Sequence, residues 1–85
     1  LEPGDPEAVW DDILEGERAR LDSKHLQLRR TRPTQAARCL LDAGQLGQVM
    51  RNILVNACDA APEHSELILQ SQVSGAGHWR SRLTN

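Results

Sequence analysis

The segment Asp42–Pro62, DAGQLGQVMRNILVNACDAAP, limits the possible folds more than any other part of the chain. At about 100° per residue, Leu46, Val49, Met50, Ile53, Leu54, Ala57, Ala60 and Ala61 share one broad face. Asp42 can cap the first turn and Gln45 can reach back to it, a capping-box arrangement, while Pro62 closes the far end. This helix must bury its apolar face. In a chain of 85 residues the covering surface has to come from the short segments on either side.

Those segments read in two periods. Ahead of the long helix, LEPGDPE carries two prolines and a glycine, so residues 1–5 are expected to be an irregular lead-in. Asp5 followed by Pro6 is a helix start, with Asp as N-cap and Pro at the first helical position. Val9, Trp10, Ile13, Leu14 and Leu21 continue that pattern through PEAVWDDILEGERARLDSK, with Gly16 a weak point in the middle. From His25 the period becomes two. HLQLRRTRP alternates Leu26 and Leu28 with polar residues up to Pro33, and TQAARCLLD places Ala37, Cys39 and Leu41 on one side. After the long helix, SELILQSQV reads as a strand, SGAG (Ser74–Gly77) as a turn, and HWRSRLTN as a last strand through Trp79, Ser81 and Leu83. The order helix, two strands, helix, two strands predicts an α+β domain: a two-layer sandwich with two helices on one face of a small mixed or antiparallel sheet. All of residues 1–85 belong to that one unit.

Composition narrows the functional classes. Two Trp and no Phe or Tyr leave the core to Leu, Val, Ile and Ala, and a chain this size buries only about 60 % of its unfolded surface. Marginal stability is expected. Net charge is −2, which is no electrostatic footprint for nucleic acid or an anionic membrane. Arg29, Arg30 and Arg32 read as a solvated strand end rather than a phosphate site. Cys39 and Cys58 show neither CxxC nor histidine at ligand spacing, so reduced core thiols are expected rather than zinc. No uncharged apolar run has the roughly 18 residues of a membrane span. The chain starts without Met, so a longer parent is expected.

A narrower stripe runs beside the apolar face of the long helix: Gln48, Asn52, Asn56, Asp59 and Glu63. Asn56 falls at the border of the two and is expected to be partly buried while reaching outward. An amide oxygen is a hard, neutral ligand, and Mg²⁺ takes a few protein oxygens together with waters and substrate phosphates. Spacing alone leaves two readings open, a metal–phosphate stripe or a solvated helix edge.

The same segment resembles a known pattern. Asp42, the pair Gln45-Leu46, Asn52 and Asn56-Ala57 look like the N-box of the ATP-binding domain of sensor histidine kinases, in the GHKL superfamily shared with DNA gyrase. The ending NACDAAP is most similar to kinases of the nitrogen-regulation and dicarboxylate-sensing type. The resemblance implies the first part of a Bergerat-type ATP-binding fold, with the N-box helix over 42–62 and ATP and Mg²⁺ as cofactors. It implies that Asn56 coordinates the Mg²⁺ bridging the phosphates, with Asn52, Asn56 and Asp59 at the nucleotide. Asn52 takes the catalytic position that a water-activating Glu holds in gyrase-type ATPases. An Asn is no general base, which suits transfer to a His rather than to water. The implied partners are the parent's dimerisation and phosphoacceptor domain and a response regulator. The parent is expected to be a homodimer and cytoplasmic, whether free or as the cytoplasmic part of a membrane-bound sensor.

The chain also departs from that pattern. Asp59 and Ala60 stand where many sensor kinases carry a phosphate-touching Lys and an adenine-packing aromatic. The sequence stops at RSRLTN, about where a glycine-rich DxGxG loop should begin. None of His25, His64 and His78 is followed by the acidic residue, or set in the helix, of the family's phosphorylated histidine. The isolated chain is therefore expected to be inactive as a kinase. The alternative reading is a non-catalytic interaction module that uses an exposed sheet edge or hydrophobic face.

Overall fold

The computed structural model describes all of Leu1–Asn85. Eight elements follow one another: β1 (Glu2–Gly4), α1 (Pro6–Gly16), α2 (Arg18–Ser23), β2 (Gln27–Thr31), β3 (Cys39–Leu41), α3 (Ala43–Ala60), β4 (Glu66–Val73) and β5 (Trp79–Thr84). The fold is α+β, with three helices and two small sheets. The main sheet has the order β2-β4-β5 and is mixed. β2 runs parallel to β4, with Leu28 opposite Leu67 and Arg30 opposite Leu69, and β5 is antiparallel to β4, with Ser81 opposite Ser71.

Local chemistry places the helix starts where expected. Asp5 accepts the backbone N–H of Glu7 at 2.9 Å with Pro6 at the first helical position, and Asp42 accepts that of Gln45 at 3.0 Å. The C-terminus of α3 is capped from outside, since Lys24 Nζ donates to the carbonyls of Cys58 at 2.7 Å and Asp59 at 3.3 Å. A cation there satisfies terminal carbonyls and opposes the negative end of the helix dipole. The β4–β5 turn closes as Ser74 N–H donates to His78 O and Gly77 N–H to Ser74 O, with Gly77 at φ +84°, a conformation open to glycine.

The core is one cluster between the helices and one face of the sheet: Trp10, Leu21, Leu26, Met50, Leu54, Cys58, Ala61, Leu67 and Leu69. Leucine supplies most of it. Trp10, Met50 and Cys58 join it although the composition pointed to Leu, Val, Ile and Ala alone: the ring supplies large buried area, Met is an adaptable filler and Cys packs as a small hydrophobe. Only 14 of 85 residues are buried, so a single thin core carries the fold.

Four expectations change. Residues 2–4 form β1 rather than an irregular lead-in, and β1 pairs antiparallel with β3 in a separate two-stranded sheet. The segment around Cys39 is thus drawn out of the main sheet. The first helix is interrupted at Glu17, where the backbone leaves helical geometry just after Gly16, giving α1 and α2. Val49 and Ile53, assigned to the apolar face of α3, are 54 % and 45 % exposed. Only Gly47, Met50, Leu54 and Cys58 of that helix are buried, because α3 meets the sheet along a narrower line than its apolar arc offers.

Candidate functional site

α3 sets the geometry of the polar stripe. Leu54 and Cys58 point into the core with no accessible surface. At about 100° per residue, Asn52 and Asn56 then lie on the opposite side, one turn apart, and both are exposed. Asn56 is therefore fully on the solvent side, not at a half-buried border: the true buried line runs through 47, 50, 54 and 58 rather than through 49 and 53. Neither asparagine side chain is held by a hydrogen bond within the chain.

Asp59, a further turn along, is also exposed, but its carboxylate leans toward α2, 3.9 Å from Arg20. The structure thus brings Asn52 and Asn56 together on one face and inclines Asp59 to the side. At that distance and exposure the Asp59–Arg20 pair is a loose one. Asn52 also borders a groove of about 520 Å³ between α1 and α3, with Val9, Ile13 and Gly47 on its floor and Asp12, Gln48 and Arg51 on its rim.

Charge pairs lock the helices that carry this face. Glu17, at the α1–α2 break, accepts from Arg20 Nε at 3.1 Å and from Arg51 Nε of α3 at 2.8 Å. The hydrogen bonds from Arg20 and then Arg51 hold its carboxyl below the usual carboxylate range. The bond to Arg51 is the direct tie from the break to the helix bearing the asparagines.

A second network, buried under α1, was missed in the sequence. Glu7 is buried and its carboxylate accepts from Arg30 Nη2 at 3.2 Å and from Trp79 Nε1 at 2.8 Å. Arg30 also donates to Asp11, and Arg32 reaches the same Asp11 oxygen at 2.8 Å. The Arg30 hydrogen bond draws the Asp11 carboxyl below its ordinary range, with partial burial pulling the other way. Trp10 Nε1 donates to Ser81 Oγ at 3.0 Å, and the Ser81 and Ser71 hydroxyls are hydrogen-bonded to each other at 2.9 Å. Arg30 is thus no solvated strand end; its side chain is only 14 % exposed, while Arg29 and Arg32 do face solvent. A signal was there: Arg30 shares the inward parity of Leu28, and Glu7 sits three residues before Trp10 on the inner side of α1.

The other candidates fall outside the site. Cys58 is buried in the core, where burial pushes its thiol up, and Cys39 is half-buried in β3. The rings of His25 and His64 stack with centroids 4.7 Å apart. Both residues have positive φ, at 54° and 65°, and they join the turns entering β2 and β4. No helix is long and apolar enough to cross a membrane.

Among known proteins, no family model and no curated protein matches the sequence. Solved structures do. A mycobacterial sensor histidine kinase, MprB, superposes with a TM-score of 0.82 at 25 % identity over 96 % of this chain and 51 % of its own. The catalytic domain of histidine kinase ThkA gives 0.79 at 13 % identity over 87 % of this chain and 51 % of its own. The Acinetobacter baumannii histidine kinase AdeS gives 0.73 at 24 % identity, covering 87 % and 36 %. The chain spans about half the length of the first two. By its fold, the chain corresponds to a segment of the histidine kinase catalytic domains that it matches.

Proposed function

We propose that this chain is one wall of a Mg²⁺–nucleotide site in an ATP-dependent protein histidine kinase. The observation that carries the proposal is the pair Asn52 and Asn56, one turn apart on the exposed face of α3 and free of partners within the chain. The donor set suits the group: one neutral amide oxygen can join the octahedral shell of Mg²⁺ without displacing the phosphates that neutralise it, and a second amide one turn away can hydrogen-bond to the waters or phosphates around it. Bound Mg²⁺ would supply charge neutralisation on the phosphates. Asn56 would be the metal ligand, and Asn52 would orient a water or phosphate oxygen without taking a proton from it. Asp59, drawn toward Arg20, would contribute charge at the margin of the site rather than a direct ligand. Phosphoryl transfer would go to a histidine on the parent's dimerisation domain and then to a response regulator, in a cytoplasmic homodimer.

The test is a titration of the isotope-labelled chain with Mg-ADP, followed by NMR. Resonances of Asn52 and Asn56 are expected to move, with weak affinity because about half of the neighbours' domain length is represented. Asn56→Ala should abolish the shifts. A folded chain whose α3 amides do not respond would overturn the proposal for this chain. The exposure of Val49 and Ile53 beside the asparagines favours the second reading, an interaction surface, in that event.

A further inference from the structure

The face of the main sheet turned away from the helices has a chemistry of its own. On β5, Trp79, Ser81 and Leu83 face the core side, so Arg80 and Arg82 project from the outer face. They stand opposite Gln72 and Gln70 of β4, and Thr31 of β2 stands beside Gln70. Together these side chains line a depression of about 270 Å³ with no hydrophobic residue in it.

Its charge is uncompensated. The ion pairs of the chain engage Arg18, Arg20, Arg29, Arg30, Arg32 and Arg51, and neither Arg80 nor Arg82 has a carboxylate partner. The carboxylate closest in register on this face, Glu66, lies at the far end of β4 and is taken by Arg29 at 3.4 Å. A chain of net charge −2 thus keeps two unpaired guanidinium groups side by side on a polar, concave surface.

Spacing says what they suit. Residues two apart on a strand are separated by roughly 7 Å, the same interval at which an extended peptide presents alternate side chains on one side. An extended segment with acidic residues at alternate positions can meet both guanidinium groups in one register. Each guanidinium can hold a carboxylate bidentately, and the Gln70, Gln72 and Thr31 side chains can bond to the peptide backbone. From this charge and register match we propose that the outer face around Arg80 and Arg82 is a docking surface for an extended acidic segment of a partner protein. It lies on the side of the sheet opposite α3, so it is separate from Asn52 and Asn56 and does not depend on the nucleotide reading.

The experiment titrates the labelled chain with a synthetic peptide alternating Glu and Ser, at low and at moderate salt. The expected result is saturable shifts confined to Thr31, Gln70, Gln72, Arg80 and Arg82, weakening as salt rises. The double variant R80Q/R82Q should bind about tenfold more weakly or worse. Arg82→Gln alone should show a partial loss, and Arg38→Gln, at an exposed arginine elsewhere, should change nothing. Shifts spread evenly over exposed cations, or binding unaltered in R80Q/R82Q, would overturn the proposal. So would inorganic phosphate saturating the same amides as tightly as the peptide, which would make the depression a small-anion site, or a single-stranded oligonucleotide binding there more tightly than the peptide.

Discussion

Glu7 and Arg30 show how one charge pair can join two layers. Glu7 sits on α1 and Arg30 on β2, and their side chains are 7 % and 14 % exposed. Arg30 binds both the carboxylate and the backbone carbonyl of Glu7, while Trp79 adds a donor from β5. One guanidinium atom, Arg30 Nε, is buried without a partner, so the network is stabilising but incomplete. Removing one member leaves the other charge desolvated, which costs more than the pair contributes. Arg30→Ala should therefore destabilise the chain by about 3 kcal/mol, measured by urea denaturation. The double variant E7Q/R30M, which removes both charges while the amide oxygen still accepts from Trp79 Nε1, should recover most of that loss. Equal destabilisation by both variants would show that the packing of α1, and not the orphaned carboxylate, dominates.

At the scale of elements, what was legible followed from periodicity and what was not followed from pairing. The helix starts at Asp5 and Asp42, the turn at Ser74–Gly77 and the strands around Leu28, Leu67 and Ser81 are local signals, and each appears where the residues placed it. The β1–β3 pairing is not local: Glu2–Gly4 is a strand only because Cys39–Leu41 lies beside it. Its Pro3 and Gly4 gave every reason to read a loop. The asparagine stripe could be found by spacing, but its exposure could not, since the apolar arc of α3 is wider than the line it buries. Gly47 explains part of that line. It lies where α1 crosses α3, and a Cβ there would meet Ile13 Cδ1 at 3.5 Å and Val9 Cγ1 at 3.7 Å, ordinary contact distances. Glycine is thus not required by crowding, and within a helix it costs about 0.5–1 kcal/mol relative to alanine. Gly47→Ala should raise stability by about that amount and narrow the groove beside Asn52. A loss of stability in the melting curve would mean that α1 needs a closer approach than these distances indicate.

The whole molecule is a thin slab, 37 × 24 × 16 Å, with one core layer and few residues fully buried. Two of its surfaces are suited to association, an apolar pair on α3 and an unpaired strand edge. Val49 and Ile53 stand four residues apart on α3, so they adjoin on one helical face, and they flank the asparagines. β5 is, like β2, an outer strand of the main sheet with one side unpaired, and such edges accept further strands. The chain spans about half of the kinase structures that it matches, and both surfaces face outward in it. An exposed apolar pair and an open strand edge each favour association as concentration rises. Sedimentation velocity across a dilution series should show the mass rising with concentration. Ile53→Lys should hold the chain closer to monomer, since the substituted position is already half exposed and its replacement leaves Met50, Leu54 and Cys58 in place. If Ile53→Lys associates as readily as the parent chain while Arg80 and Arg82 are intact, the β5 edge is the contact. In that case a change on the strand, Thr84→Pro at its exposed end, should release the monomer where the helix variant did not.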